Sequence, residues 1–215
     1  DNRGIDVIYA MSYNTRLRQL SLHEIIEVSK VCCELANSRG KKAIIGHPYT
    51  ITNNELHNYC QIVKEFNPFA ISVLYPERYY GKNKPLVDFY SVPKLSGLNV
   101  LVHEQKLISG FNGSQIDWPD SLINDVFSDK NIIAVKEDSK NDLITKKILE
   151  ISKKSDLNVI LAGGGKIRAR KLIKEANLKC WLNGSLMLFP EITDKVVNAY
   201  LNNDKNLIEW YEKNI

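Results

Sequence analysis

Short apolar runs alternate along the whole chain with longer segments of helical periodicity. This alternation is typical of repeated strand–helix units that build a parallel sheet. Each run is apolar almost throughout, as expected of a strand whose two faces are both buried. The seven predicted strands are residues 5–11, 43–47, 70–75, 99–103, 132–136, 158–162 and 180–184.

The segments between these runs carry signals for helix starts. Ser21 and Glu24 form a capping box in front of an apolar stripe with helical spacing. Pro119 fits the first turn of a helix that continues through Val126. Other helices are predicted to begin at Asn53 or Asn54 and to cover residues 141–153, 166–176, 190–201 and 204–213.

Seven parallel strands could form an open doubly wound sheet or most of an eight-stranded barrel. A doubly wound nucleotide-binding sheet usually carries GxGxxG after its first strand, and this chain has no such motif there. Regular strand spacing and polar residues at several strand ends favour the barrel. We therefore predict an α/β fold, a (β/α)8 TIM barrel, with residues 1–215 in one domain.

Composition and charge narrow the possible partners. The formal net charge of +4 comes from scattered lysines, which do not form the basic patch of a nucleic-acid-binding protein. The four cysteines and four histidines show no metal-ligand spacing, so we expect neither a metal nor another cofactor. No apolar run approaches the roughly 20 residues that span a membrane. We expect a cytoplasmic protein with reduced thiols and no membrane partner.

Lys136 ends an otherwise apolar predicted strand. Alternation would place Ile132, Ala134 and Lys136 on one face. If that face is the barrel interior, burial lowers the pKa of the amine from about 10.4 towards the range in which it attacks a carbonyl. The alternative is a surface lysine that extends from the strand end to solvent.

Other strand ends also carry polar residues. His103 ends the run 99–103, and its ordinary pKa near 6.5 predicts an ionisation between about pH 6 and 7.5 if it relays protons. The alternative is a histidine that only makes structural hydrogen bonds. Tyr79 and Tyr80 follow the run 70–75 and offer hydroxyls or interface area. Residues 12–15 follow the first strand, where backbone N–H groups could hold a carboxylate.

Taken in order, these segments resemble the dihydrodipicolinate synthase / N-acetylneuraminate lyase family of class I, Schiff-base aldolases. Residues 131–139, NIIAVKEDS, are similar to the family strand NIVGIKEAS, whose lysine forms an imine with pyruvate. Segments 162–165 and 180–190 resemble the family's SGDD and GVISVTANVAP. The resemblance implies catalytic roles for Lys136, His103 and Tyr80. It implies substrate binding by Tyr13, Asn14, Tyr79, Gly163, Leu182, Asn183 and Gly184.

The chain also departs from the family pattern. The GTTGE motif falls on residues 12–16, SYNTR, where neither of the motif's threonines is kept at its position, and the tyrosine of YNVPxRTG becomes His103. The arginine of that motif becomes Ile108, so we do not expect a true dihydrodipicolinate synthase. Family members have a strand and helix before residue 1 and helices after residue 215. The resemblance thus implies strands two to eight of the barrel, with one open seam.

The sequence therefore predicts a lyase or aldolase that acts on a 2-oxo acid through an imine at Lys136. By the same resemblance, we expect a homo-oligomer, a dimer or tetramer, with Tyr79 and Tyr80 at its interface. One alternative is a non-catalytic barrel that binds a keto acid or sugar acid, suggested by the altered GTTGE segment. A second alternative is a structural subunit of an oligomer, without a ligand.

Overall fold

Seven parallel strands form a single sheet and follow one another in chain order. In the computed structural model they are β1 Val7–Ala10, β2 Lys42–Ile45, β3 Ala70–Leu74, β4 Val100–Glu104, β5 Ile132–Glu137, β6 Asn158–Leu161 and β7 Cys180–Trp181. The structure describes residues 6–11, 15, 19–48, 51–74, 83–104, 120–162, 165–176, 180–182, 195–196, 198–200 and 202–214. Every predicted strand is confirmed to within a few residues.

The strand order decides between the two predicted architectures. Each strand pairs in parallel with the next one along the chain, from β1 through β7. A doubly wound sheet reverses its strand order at a switch point, whereas a (β/α) barrel keeps the sequential order. Within the described residues, β1 and β7 each pair on one side only. The sheet is that of a partial barrel; its assignment to strands two to eight remains a prediction.

Helices follow the strands along the chain. They are α1 Leu22–Ser38, α2 Asn53–Val63, α3 Asn83–Ser91, α4 Asp120–Phe127, α5 Asp142–Ser152, α6 Gly165–Ala176 and α7 Lys205–Asn214. The predicted capping box of α1 is confirmed, with Glu24 N–H donating to Ser21 Oγ at 3.3 Å and Ser21 N–H donating to Glu24 Oε2 at 2.7 Å. Thr52 and Glu55 cap α2 in the same way. No described helix is both long and apolar enough to cross a membrane.

The two faces of the sheet bury different partners. One face packs against the helices, where Val73, Val102 and Val135 join a large core with residues such as Leu56 of α2 and Ile148 of α5. The other face, called the inner face below, carries a smaller cluster of Ile44, Ala70, Leu101 and Ala134, with Tyr9 and Ile160 packed against it. Neighbouring residues such as Leu101 and Val102 lie in different clusters because side chains alternate along a strand.

Strand β5 contains a register shift that the sequence pattern did not predict. Val100 is paired with Ile132, but Leu101 is paired with Ala134, so Ile133 is an additional residue opposite β4. Ile132 therefore packs in the helix-facing core, whereas Ala134 lies in the inner cluster. The prediction that Ile132 shares a face with Ala134 and Lys136 is wrong, because a bulge interrupts the alternation of side chains.

A buried ion pair fixes the end of β5 to the helices outside it. Arg168 Nη2 of α6 donates to Glu137 Oε2 at 2.7 Å and to Thr145 Oγ1 of α5 at 2.7 Å. The backbone N–H of Ser139 donates to Glu137 Oε1 at 3.1 Å. Glu137 is fully buried, so its charge is matched inside the protein. These bonds hold the residue that directly follows Lys136.

Strands β1 and β2 approach one another closely at their carboxyl ends. A Cβ atom at Gly46 would lie 2.0 Å from the carbonyl oxygen of Met11, so only glycine fits there. Gly46 N–H donates to Ala10 O at 3.1 Å, and Tyr59 of α2 donates its hydroxyl to Gly46 O at 2.7 Å. The contact holds the carboxyl ends of these two strands close together.

We expect Arg168→Met to lower the free energy of unfolding by about 3–5 kcal/mol, because it leaves the buried Glu137 carboxylate without a cation. Urea denaturation of the purified chain would measure the change. Arg170→Met is the matched control, since Arg170 of the same helix pairs with Glu212 at a half-exposed position and such a pair contributes at most about 1 kcal/mol. Equal losses in the two variants would contradict a special role for the buried pair.

Candidate active site

Lys136 lies on the inner face, next to the last residue of β5. Its side chain is buried, with 6% of its surface exposed, so it does not extend to solvent as a surface lysine would. Burial lowers the pKa of Lys136 to about 8, although the nearby carboxylate of Asp138 acts in the opposite direction. A substantial fraction of this amine is therefore neutral near physiological pH, which is the form that attacks a carbonyl carbon.

His103 is the neighbour of Lys136 on strand β4, where the two residues are paired in the register. The imidazole is completely buried, and neither Nδ1 nor Nε2 has a hydrogen-bond partner among the described residues. Burial lowers the pKa of His103 to about 4; Lys136 adds to this, and Asp138 opposes it. The expected ionisation between pH 6 and 7.5 is therefore wrong for the folded chain, and His103 is neutral at pH 7.

Asp138 is a charged neighbour of His103 that the sequence reasoning did not select. Its Oδ2 lies 3.8 Å from His103 Nε2, and its Oδ1 lies 3.8 Å from Lys140 Nζ. Burial by itself raises the pKa of Asp138, but His103, Lys140 and Lys136 together outweigh it and hold that pKa below its usual value. The carboxylate is thus negative at neutral pH. Its signal in the sequence was the aspartate of KEDS, where the similar family strand has the alanine of KEAS.

Tyr9 and Ser72 are two further inner-face residues that the sequence reasoning missed. Lys136 Nζ lies 5.5 Å from the centroid of the Tyr9 ring, within the range of a cation–π contact. The Tyr9 hydroxyl is hydrogen-bonded to Ser72 Oγ at 2.5 Å. Burial raises the pKa of Tyr9 well above its ordinary value, so the phenol stays protonated. Both residues place a polar group inside an apolar run, and this was the available signal.

His47 follows β2 and differs from His103 in that both of its nitrogens are used. Leu74 N–H donates to Nε2 at 3.0 Å, and Nδ1–H donates to Pro48 O at 2.6 Å. Burial lowers the pKa of His47 to about 4. This histidine ties the end of β2 to the end of β3 as a neutral ring, and it has no nitrogen left for a substrate.

Most of the other predicted site residues lie outside the part of the chain that the structure describes. Leu182 is half-buried directly after β7, and its N–H donates to Leu161 O at 2.9 Å. Thr15, in the segment that falls on GTTGE, is exposed. Seven predicted residues lie outside the described residues: Tyr13, Asn14, Tyr79, Tyr80, Gly163, Asn183 and Gly184. In the part of the chain that the structure covers, no group of three or more His, Cys, Asp or Glu side chains could hold a metal ion.

Solved structures with the same fold are known. Dihydrodipicolinate synthase from Bacteroides thetaiotaomicron superimposes with a TM-score of 0.79 at 15% identity, over 98% of this chain and 68% of that one. A second structure is YagE from E. coli K12, a prophage protein of the dihydrodipicolinic acid synthase family, in complex with pyruvate. It superimposes with a TM-score of 0.78 at 13% identity, over 98% of this chain and 69% of that one. N-acetylneuraminate lyase from Mycoplasma synoviae superimposes with a TM-score of 0.77 at 16% identity, over 97% of this chain and 67% of that one.

The chain has the fold of these three proteins. The resemblance seen in the sequence motifs is therefore confirmed at the level of the fold. The chain spans about two thirds of the length of each of these proteins. No protein-family model matches the chain, and no curated protein is significantly similar to it in sequence.

We expect Lys136 to react with a small amine-directed electrophile with a midpoint near pH 8, because only the neutral amine reacts and burial favours that form. Competitive labelling with trace acetic anhydride, read by peptide mass spectrometry over a pH series, would give the midpoint. The same peptide from urea-unfolded protein is the control, and there the midpoint should return to about 10.4. A folded-state midpoint near that ordinary value would refute the lowered pKa.

Proposed function

We propose that this chain carries the catalytic centre of a lyase that acts on a 2-oxo acid through an imine on Lys136. The observation that carries the proposal is the buried Lys136 amine, with its pKa of about 8, at the carboxyl end of a parallel strand. In barrels of this type the reactive groups lie at that end of the strands. The fold shared with dihydrodipicolinate synthases, N-acetylneuraminate lyases and a pyruvate complex supports the choice of a 2-oxo acid.

The chemistry begins at the lysine nitrogen. The neutral Nζ of Lys136 attacks C2 of the 2-oxo acid, and the carbonyl oxygen leaves as water when the imine forms. The imine is protonated and carries a positive charge, so it accepts the electron pair released when the C3–C4 bond breaks and becomes an enamine. The ring of Tyr9 lies beside the Lys136 nitrogen and is placed to stabilise that positive charge.

His103 is the described group best placed to move the proton in this reaction. Cleavage of the C3–C4 bond requires a base to remove a proton from the hydroxyl on C4. His103 is neutral, buried and paired in the register with Lys136, and its nitrogens have no hydrogen-bond partner among the described residues. A neutral imidazole with a free nitrogen can accept this proton and later return it.

We expect borohydride and pyruvate together to add a reduced pyruvyl group to Lys136, because hydride traps the imine as a stable secondary amine. Intact mass and peptide mapping would locate the adduct. Lys136→Met should abolish it, whereas Lys130→Met should not, since Lys130 is an exposed lysine just before the start of β5.

An adduct on another lysine, or none with several 2-oxo acids, would refute the imine on Lys136. If a 2-oxo acid stabilised the chain against heat without forming an adduct, the non-catalytic binding barrel would be favoured. If no 2-oxo acid had any effect, a structural subunit would be the better description. Assembly into a dimer or tetramer remains a prediction in each case.

We expect His103→Phe to slow cleavage of a 4-hydroxy-2-oxo acid by about 10²–10⁴-fold, which is the usual contribution of a positioned acid or base. Pyruvate release, coupled to lactate dehydrogenase, would measure the rate. The borohydride adduct on Lys136 should persist, because imine formation uses the amine. His103→Tyr should recover part of the rate, since a phenol can also relay a proton. Normal turnover in the phenylalanine variant would make the histidine a structural residue.

A further inference from the structure

The carboxylate of Asp138 is a charged group near the ring of His103. Its Oδ2 lies 3.8 Å from Nε2, which is outside hydrogen-bond distance but close enough for a small shift to form the bond. His103 is fully buried, and both ring nitrogens lack a partner among the residues that the structure covers. A buried polar atom without a hydrogen-bond partner is unfavourable, so formation of a hydrogen bond between Nε2 and the carboxylate would stabilise the protein.

Among the described residues, Asp138 is the only carboxylate that acts on the pKa of the His103 ring. Strand β5 contributes Lys136 beside His103, and Lys140 reaches the far oxygen of Asp138 at 3.8 Å. On the other side, the register partner of His103 is the apolar Leu74, whose N–H is bonded to the neutral His47. Strand β1 contributes the protonated phenol of Tyr9, which is hydrogen-bonded to the hydroxyl of Ser72.

We propose that Asp138 is a positioning residue that accepts the Nε2–H of His103 and so fixes the tautomer in which Nδ1 is unprotonated. This inference rests on the proposed function and assigns the roles within it. A neutral imidazole has one N–H and one acceptor nitrogen, and a partner on one nitrogen decides which is which. The carboxylate also stabilises the imidazolium cation that forms when Nδ1 takes up a proton. Catalytic hydrogen bonds are often longer without substrate than with it.

The proton transfers balance through this pair. Nδ1 takes the proton of the C4 hydroxyl, the O–H electrons form the new C=O bond, and the C3–C4 electrons pass into the enamine on Lys136. The imidazolium then returns the proton to C3, which regenerates the imine of pyruvate. Water releases pyruvate by hydrolysis of that imine. Asp138 remains ionised throughout and exchanges no proton.

Two departures from the similar family segments support a joint role. This chain has a histidine where the YNVPxRTG motif has its tyrosine, and an aspartate where the strand NIVGIKEAS has its alanine. A phenol carries its proton on one oxygen and needs no partner to select a tautomer, whereas an imidazole does. The aspartate supplies that partner in the chain that has the histidine.

Asp138→Asn tests the proposal, because it keeps the size of the side chain and removes its charge. In nitrogen-15 NMR spectra, wild-type His103 should be the Nε2–H tautomer, and the variant should lose that preference. The pKa of His103 should fall further below about 4 in the variant, since Asp138 raises it. Turnover should fall by about 10²–10⁴-fold, as for loss of the acid–base group itself, while the borohydride adduct on Lys136 persists.

A double-mutant cycle separates this role from a purely structural one. If Asp138 acts through His103, Asp138→Asn should cause no further loss of turnover in the His103→Phe background. A further loss there, unchanged turnover in the single variant, or an Nδ1–H tautomer in the wild-type protein would overturn the proposal. The tautomer can be read without substrate. Absence of a wild-type adduct on Lys136 would instead overturn the proposed lyase function and leave the tautomer result standing.

Discussion

The buried ion pair of Glu137 with Arg168 is the interaction on which the candidate site depends. It anchors the last residue of β5 to helices α5 and α6 on the outside of the sheet. Side chains alternate along a strand, so a Glu137 held on the helix side obliges Lys136 to lie on the inner face. The position of the Lys136 amine is thus set by the neighbouring residue Glu137 and its ion pair with Arg168.

Burial on the inner face then determines which groups are charged. It favours the neutral forms of Lys136 and His103, whereas Asp138 keeps its charge because cationic and polar neighbours compensate for its burial. The result is a nucleophilic amine, a neutral imidazole and a carboxylate within a short stretch of two neighbouring strands. At neutral pH the His103 imidazole is neutral, the Asp138 carboxylate is ionised and a fraction of the Lys136 amine is unprotonated, which is the combination that imine chemistry requires.

The sequence predicted the strands well and the site only in part, and the reasons are physical. Strands buried on both faces must be apolar runs, and Lys136 and His103 were conspicuous because each ends such a run. The contact between Tyr9 and Ser72 joins residues that are 63 positions apart, so no local pattern reveals it. The low pKa of His103 depends on burial by surrounding elements, which a single strand does not specify. The bulge at Ile133 likewise cannot be recognised from the sequence, because the residues around it are all apolar.

That bulge has a consequence for how the strand tolerates insertions and deletions. Because of the additional residue, the start and the end of β5 are out of phase: Ile132 faces the helices, and Lys136 faces inward. Loss of one residue between them, with the start of the strand held in place, would remove the bulge and still leave Lys136 on the inner face, because three steps of regular alternation put the two ends on opposite faces. A strand of unchanged length without the bulge would instead turn the amine into the helix layer beside Arg168 and the carboxylate towards the inner face. The additional residue thus keeps the Lys136 amine away from a repulsive contact with the Arg168 cation.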